Sequence, residues 1–212
     1  MGGYSFVIYD RSGKRLASDS RPCPVDLSAE DLGKVLSAPF ASVTVFYTTW
    51  KYTLVPVSQF SKDSAREYLE TVRDLQPDDT VHTVEVPSHK AVMVFAVPGG
   101  IYSGISALNR NVRFYPLASC LIDRLAGITD NNRLLVSFSA GMLHVVAAER
   151  DRLLFANSFP AADLATAEYF IFSVTKEVLF NPENTCLYVF GEIKPEVRGE
   201  LERYFVSVRT LL

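Results

Sequence analysis

The stretch that decides the fold lies at residues 134–159 and reads LLVSFSAGMLHVVAAERDRLLFANSF. Three apolar runs are separated there by two short breaks, Ala140-Gly141-Met142 and Arg150-Asp151-Arg152. Runs of this length and composition, bounded by turn residues, are typical of neighbouring β-strands. The pattern therefore predicts a meander of three strands, over Leu134–Ser139, Leu143–Ala148 and Leu153–Phe159.

Helix and strand signals alternate in the chain after this meander. Asp163 is a helix-capping residue that opens a segment with apolar side chains three and four positions apart, namely Leu164, Ala167, Ile171, Val174 and Val178. Cys186–Phe190 predicts another strand. Pro195 predicts the start of a last helix, whose inward face is formed by Val197, Leu201, Tyr204 and Val208. This order of strands and helices resembles a ribonuclease H-like unit.

An internal repeat is indicated by the start of the chain. Tyr4–Tyr9 and Lys14–Ser18 predict two strands around a polar turn. An ungapped alignment of Gly3 with Gly141 superimposes this hairpin on the second and third strands of the meander. We therefore expect the first half of the chain to repeat the plan of the second half.

The repeat leaves Leu134–Ser139 without a counterpart ahead of Gly3. Either the first unit lacks its first strand, or the sequence begins downstream of its natural start. In a ribonuclease H-like sheet that strand is central, so its loss would leave unpaired backbone edges. We expect an incomplete first unit whose edges are covered by another segment or by another copy of the chain.

A polar, turn-prone block at residues 129–132 is the best candidate for a domain boundary. We expect one ribonuclease H-like unit at residues 1–128 and a second at residues 129–212. A small inserted α/β subdomain is expected in the first unit, at about residues 56–90, where a helix capped by Ser61 precedes a strand.

Several segments spread over nearly the whole chain carry a family resemblance, namely Tyr52–Pro56 with Phe60, Val94–Pro98, Leu153–Phe159, Tyr169-Phe170 and Phe190-Gly191-Glu192. They resemble an uncharacterised bacterial family, a domain of unknown function with an actin-like ATPase fold. The stretch from Val94 to Leu125 is also similar to the corresponding part of the type IV pilus assembly actin-like protein. The resemblance implies an α/β protein of two tandem ribonuclease H-like units, the plan shared by actin, sugar kinases and heat-shock chaperones.

A nucleotide site is the first functional site that this resemblance implies. The superfamily binds ATP with hairpins that have an aspartate in the first strand and a glycine two residues later, where backbone amides approach the phosphates. Here Gly141 is present, but serines stand at positions 137 and 139 where a carboxylate is needed. Magnesium favours anionic oxygens, which serine does not supply. The adenosine-side motif keeps one glycine, Gly191. We expect Ser139, Gly141 and Gly191 to contact a nucleotide if one binds, and we expect no ATP hydrolysis.

Other catalytic and metal sites lack the residues that they require. The strand at Leu134–Ser139 has none of the carboxylates with which a ribonuclease H-type nuclease holds its metals. The turn Pro98-Gly99-Gly100 lacks the Gly-Lys-Ser/Thr ending of a P-loop. His82, His89 and His144 are not grouped with one another or with cysteines at metal-ligand spacing. We expect no catalytic residue, no metal ligand and no cofactor, with ATP as the alternative.

An aromatic segment, Phe46–Tyr52, contains the only tryptophan of the chain. Tryptophan and tyrosine frequently anchor protein interfaces, so Trp50 and Tyr52 are candidates for binding a partner protein. A hairpin in the protein core is an equal interpretation of the same residues.

Composition and charge exclude some partners and compartments. The chain has 212 residues, with 21 Lys and Arg against 24 Asp and Glu, so no basic excess exists to neutralise nucleic-acid phosphates. No apolar run reaches the roughly 18 residues of a membrane-spanning helix, so direct membrane insertion is not expected. The 3 cysteines are scattered and odd in number, which favours free thiols in a reducing cytoplasm.

The sequence therefore favours a non-catalytic, actin-like protein of the bacterial cytoplasm. We expect it to act as a protein-binding or assembly module, through a partner protein or through self-association. The alternative is an enzyme of the same superfamily that binds or hydrolyses ATP at a degenerate phosphate site.

Overall fold

A computed structural model of the chain describes residues 4–21, 30–109, 111–139 and 141–211. In the N-terminal part the elements are β1 (Tyr4–Tyr9), β2 (Arg15–Arg21), α1 (Glu30–Leu36), β3 (Val43–Tyr47), β4 (Tyr52–Pro56), α2 (Ala65–Glu70), β5 (Asp79–Val86), β6 (Ala91–Pro98), α3 (Gly99–Leu108), β7 (Val112–Pro116) and α4 (Leu117–Leu125). In the C-terminal part they are β8 (Asn132–Ser139), β9 (Met142–Glu149), β10 (Arg152–Pro160), α5 (Leu164–Glu177), β11 (Cys186–Phe190), α6 (Pro195–Leu201) and β12 (Ser207–Leu211).

The predicted meander supplies three strands of a five-stranded sheet, whose strand order is β10-β9-β8-β11-β12. β9 pairs antiparallel with both β8 and β10, whereas β8, β11 and β12 run parallel. Asp163 caps α5 as predicted, since its Oδ1 accepts a hydrogen bond of 2.8 Å from the Thr166 backbone N–H. Helices α5 and α6 cover one face of the sheet, where Ile171 and Leu201 are fully buried against Leu134 and Val136.

The last predicted helix was expected to continue to Val208, and this part of the prediction was wrong. The helix opened by Pro195 ends at Leu201, and residues 207–211 form β12, which pairs parallel with β11. Tyr204, expected to face inward, is 44% exposed. Residues 206–210 alternate between β-branched and polar side chains, which is typical of a strand. As a fifth strand, β12 forms backbone hydrogen bonds with β11 that a longer helix could not form.

The described residues of the first half form three smaller sheets. β4, β6 and β5 make an antiparallel sheet in that order, β1 pairs antiparallel with β2, and β3 pairs parallel with β7. The antiparallel sheet of three strands, with α2 packed on it, takes in residues 52–98, a wider range than the inserted subdomain expected at about 56–90. The helix expected to start after Ser61 begins at Ala65 and ends at Glu70. The division into two units stays a prediction.

A continuous core joins the two halves of the chain. Leu121 and Leu125 of α4 pack in one buried cluster with Phe95 of β6 and with Leu135 and Val146 of the five-stranded sheet. α4 therefore covers the face of that sheet opposite α5 and α6. None of the helices in the described ranges has the length and the apolar character needed to span a membrane.

Candidate functional site

The turn between β8 and β9 has the backbone geometry that its glycine predicts. Gly141 has a φ of +73°, in the left-handed region that glycine adopts without a steric cost. Its carbonyl oxygen accepts a hydrogen bond of 2.9 Å from the Ala161 backbone N–H. Ser139 pairs with Met142 across the hairpin. The tip of the hairpin is therefore held by the end of β10.

Gly191 lies at the same end of the sheet, because β8 and β11 are parallel neighbours. The Ser137 hydroxyl donates a hydrogen bond of 3.1 Å to the Phe190 carbonyl oxygen, immediately before Gly191. Gly191 has a φ of +95° and donates its N–H to the Leu211 carbonyl oxygen at 3.0 Å. The structure thus brings Ser139, Gly141 and Gly191 to one end of the five-stranded sheet.

The loop between β3 and β4 reaches this end of the sheet as well. Ser139 Oγ lies 3.3 Å from Thr48 Oγ1. Hydroxyl groups and backbone amides at this end can contact a phosphate, but no residue of β8 is a carboxylate, and Glu192, which follows Gly191, is exposed. Over the ranges that the structure describes, no three His, Cys, Asp or Glu side chains are grouped to hold a metal ion. The arrangement lacks the anionic oxygens that Mg²⁺ prefers.

A partly buried ion pair fixes the loop that carries Trp50. Lys51 Nζ pairs with Asp79 Oδ2, with side-chain exposures of 15% and 1%. The Gln76 backbone N–H donates to the same carboxylate oxygen at 2.8 Å. Burial opposes ionisation of Asp79, but the Lys51 hydrogen bond, the Gln76 N–H and the Lys51 charge outweigh it and lower the pKa of Asp79. Sequence analysis missed this pair because residues 51 and 79 meet only through the tertiary fold.

Trp50 lies at the surface, beside Arg73. It is 42% exposed, and the Arg73 guanidinium carbon lies 5.8 Å from the centroid of its ring. Arg73 Nη2 donates a hydrogen bond of 2.8 Å to Asn157 Oδ1 on β10. Arg73 Nε is buried and has no hydrogen-bond partner among the described residues. An arginine and a tryptophan thus form one mixed aromatic and cationic surface.

Tyr52, the other partner-binding candidate, is not at the surface. It is 3% exposed, and its hydroxyl accepts a hydrogen bond of 3.2 Å from Ser158 Oγ. Ser158 Oγ in turn lies 2.7 Å from His144 Nδ1. This correction has a tertiary cause: β4 packs its first residue against the five-stranded sheet, so the ring belongs to the core.

The chain of three side chains, Tyr52, Ser158 and His144, is held in its uncharged form. Burial raises the pKa of Tyr52 to about 12 and lowers the pKa of His144 to about 4. His144 Nε2 is buried and has no hydrogen-bond partner among the described residues. One signal in the sequence indicated this buried polar group: His144 stands between Leu143 and Val145 in an apolar strand.

Comparison with protein families matches the chain to the family described as "Protein of unknown function (DUF3822)", over residues 3–208. No curated protein matches the chain significantly. The fold is similar to that of a protein of unknown function with an actin-like ATPase fold from Bacteroides thetaiotaomicron VPI-5482, at 20% identity and a TM-score of 0.85. That match covers 99% of this chain and 86% of the other.

A second solved structure is similar at a greater distance. The PilM–PilN type IV pilus biogenesis complex matches at 15% identity and a TM-score of 0.56, covering 99% of this chain and 85% of that one. Identities this low show a shared fold and no more. The fold is the actin-like ATPase fold that the sequence resemblance implied.

Proposed function

This chain belongs to the DUF3822 family, and we propose that it is a non-catalytic member of the actin-like fold that works as a protein-binding or assembly module. The observation that carries the proposal is the hairpin of β8 and β9. Its glycine keeps the left-handed turn at residue 141, while the whole of β8, from Asn132 to Ser139, contains no aspartate or glutamate.

ATP hydrolysis needs a metal ion or an ordered water that a carboxylate holds next to the γ-phosphate. Ser137 is engaged with the Phe190 carbonyl oxygen, and Ser139 lies beside Thr48. Neither serine supplies an anionic oxygen for Mg²⁺. Gly141 keeps the left-handed conformation of the turn, and the described residues of the hairpin lack the groups that would activate a phosphate.

Protein binding is supported by the surface around Trp50. Tryptophan and arginine are the residue types most enriched at the energetic centres of interfaces, and Trp50 and Arg73 lie in contact at the surface. The distant neighbour PilM was solved in a complex with PilN, which makes protein partnership compatible with this fold. We therefore assign Trp50 to a contact with a partner protein or with a second copy of the chain.

The two units, at residues 1–128 and 129–212, and the bacterial cytoplasm as location are part of this proposal. Within the described residues Cys120 and Cys186 are free thiols, which is compatible with a reducing compartment. Nucleic acid is not proposed as a partner, since the formal net charge is −3.

The competing function is an enzyme that binds or hydrolyses ATP at the same end of the sheet. Two glycines with positive φ, Gly141 and Gly191, favour it, because both leave room for a nucleotide beside the backbone. Here ATP would meet Ser139 and the two glycines.

Release of phosphate from Mg²⁺-ATP by the purified chain distinguishes the two functions. We expect no release above the buffer rate. The control is Gly141→Ala, whose added Cβ meets no atom within 4 Å but whose φ of +73° strains an alanine by about 1–2 kcal/mol. Hydrolysis by the unmodified chain that is lost in Gly141→Ala would defeat the proposed function, whereas equal rates in both would indicate a contaminating ATPase.

A further inference from the structure

A groove of about 630 Å³ runs along the outer side of the five-stranded sheet, between β10 and α5. α5 follows β10 after a short turn and therefore runs back along the strand. The stacked rings of Phe159 and Phe170, whose centroids are 4.3 Å apart, lie at the end of the groove where the chain turns. Arg152 and Leu179 line its opposite end.

The lining of the groove is mostly aromatic and aliphatic. On its floor the ring of Phe155 stacks on that of Phe159, with the centroids 6.2 Å apart. Tyr169 and Leu179, which also line the groove, are 67% and 90% exposed. Contiguous exposed apolar surface of this kind marks interaction sites, whereas single exposed apolar residues are ordinary.

Leu179 occupies a position that usually belongs to glycine. Its φ is +59°, a left-handed conformation that a leucine adopts only with strain. The N–H of Leu179 donates to the Lys176 carbonyl oxygen at 3.2 Å, and the N–H of Phe180 donates to that of Thr175 at 2.8 Å, as in helices that end on a glycine. A glycine would end α5 in the same way, without strain and without an exposed apolar side chain. The strain and the exposure of this leucine therefore indicate a contact outside the chain.

The free edge of β10 is closed to a further strand. Ala161 donates its N–H to the Gly141 carbonyl oxygen on the side of β9, so the N–H of Ser158, at an odd spacing from it, faces away from the sheet. That N–H donates to Asn157 Oδ1 at 2.9 Å, and Pro160 has no N–H to offer. Edges blocked in this way do not template strand pairing. An occupant of the groove must therefore bind through its side chains.

A cation without an anionic partner lies at the wall of the groove. Arg73 Nη2 donates a hydrogen bond to Asn157, which lines the groove, and the same guanidinium lies against the ring of Trp50. No carboxylate of the described residues forms an ion pair with Arg73. Arg73 thus joins the groove to the Trp50 surface and adds an unbalanced positive charge to both.

We infer that the groove between β10 and α5 holds an amphipathic helix of a partner protein, with an acidic side chain at its Arg73 end. This inference rests on the proposed protein-binding function and names the class of the partner. Apolar side chains at helical spacing fill the groove between Tyr169 and Leu179, and the carboxylate meets the guanidinium of Arg73. The stretch from Tyr169 to Leu179 spans about 15 Å, so about three turns of the partner helix lie in the groove.

The probe for the groove is a display library of helical peptides of about 16 residues, long enough for three turns and their flanks. Alanine, lysine and glutamine fill the fixed positions because they favour a helix. Positions on one face vary among apolar residues and serine, and one position at each end varies among glutamate, glutamine and lysine. We expect peptides selected on the purified chain to have leucine or aromatic residues on that face and glutamate at one end.

Variants of the chain locate the selected peptides. Leu179→Gly and Tyr169→Ser are each expected to weaken binding at least about tenfold, measured by calorimetry. The control is Leu16→Ala, which removes a leucine that is 61% exposed on β2 and should leave the affinity unchanged. Leu179→Gly is expected to raise the urea midpoint of the chain, because it relieves the strain at this position. A loss of affinity in this variant therefore does not come from unfolding.

A double-mutant cycle tests the role of Arg73. Glutamine in place of the glutamate of a selected peptide is expected to weaken binding to the unmodified chain at least about threefold and to have no effect on Arg73→Met. Lys62→Met, at an exposed residue, is the control and keeps the preference for glutamate. An equal effect of the glutamine in the unmodified chain and in Arg73→Met would overturn the acidic partner.

Three results would overturn the partner helix. They are a library from which no peptide is selected, selected peptides that bind Leu179→Gly as tightly as the unmodified chain, and a dimer of the chain that dissociates in Leu179→Gly, since a second copy would then occupy the groove. ATP hydrolysis would defeat the proposed function while leaving the peptide titrations unchanged. Failure of the peptides without hydrolysis would defeat only the groove.

Discussion

Ser158 Oγ donates a hydrogen bond of 3.2 Å to the hydroxyl oxygen of Tyr52, which joins β10 of the five-stranded sheet to β4 of the three-stranded sheet. Residues 106 positions apart are thus connected inside the core. Because both groups are buried, the bond is shielded from competing water.

Removal of the Tyr52 hydroxyl tests this connection. Tyr52→Phe leaves the ring in place and takes one partner from Ser158, so we expect the free energy of unfolding to fall by about 1 kcal/mol. Urea denaturation measures the change. The matched control is Tyr169→Phe, at a residue that is 67% exposed, where no measurable change is expected. Equal effects at both positions would contradict a buried connection.

His144 predicts a loss of stability on mild acidification. Its folded pKa of about 4 lies below the unfolded value near 6.5, so the unfolded state binds more protons between these pH values. The contribution is present above pH ~6.5 and is lost as the pH falls towards ~4, by about 2 kcal/mol at pH 5. Urea denaturation at pH 7 and pH 5 measures it.

The control for this pH dependence is His144→Gln, which cannot titrate. The difference between pH 7 and pH 5 is expected to shrink in this variant. Burial also lowers the pKa of His82, so a residual dependence in the same direction should remain. An unchanged difference in His144→Gln would show that His144 is not the group responsible.

Breaking the ion pair of Lys51 and Asp79 is expected to lower the free energy of unfolding more than any other substitution proposed here. Lys51→Met leaves the Asp79 carboxylate, which is 1% exposed, without its cation, at a cost of about 3 kcal/mol. The control is Arg203→Met, which breaks an exposed pair with Glu200, and we expect less than about 0.5 kcal/mol there. Similar losses in the two variants, measured by urea denaturation, would contradict a structural role for Lys51.

Arg73 is expected to shield the face of Trp50. Arg73→Met removes the cation beside the ring and the hydrogen bond to Asn157, so acrylamide should quench Trp50 fluorescence more strongly. Trp50 is the only tryptophan, and the signal therefore reports on it alone. Lys62→Met, at an exposed residue, is the control. Quenching that is unchanged in Arg73→Met would show that the two side chains do not stay in contact.

Local sequence patterns predicted the elements whose signals are themselves local. The meander at 134–159 and the Asp163 cap follow from strand composition and helix capping, and both are present. β12 was missed because Val197, Leu201, Tyr204 and Val208 satisfy a helical spacing by coincidence. Nothing in their local sequence shows that residues 207–211 lie beside β11.

The candidate site was also predictable only in part: its glycines could be identified from the sequence, whereas the contacts of Tyr52 and Trp50 could not. Gly141 and Gly191 were identified through the nucleotide-binding motifs that the family resemblance implies, and the parallel pairing of β8 with β11 brings them to one end of the sheet. Tyr52 was misplaced because its burial depends on Ser158, which lies on a distant strand. The contact of Trp50 with Arg73 depends on the tertiary fold in the same way.

The most direct test of a non-catalytic function is the thermal stability of the chain with millimolar ATP, with and without Mg²⁺. A nucleotide at 100 times its dissociation constant adds about 2.7 kcal/mol, which a thermal shift detects readily. We expect no stabilisation by ATP that depends on Mg²⁺. Stabilisation that requires Mg²⁺ and disappears in Gly191→Ala would contradict it, because β8 then supplies a metal-nucleotide site despite having no carboxylate.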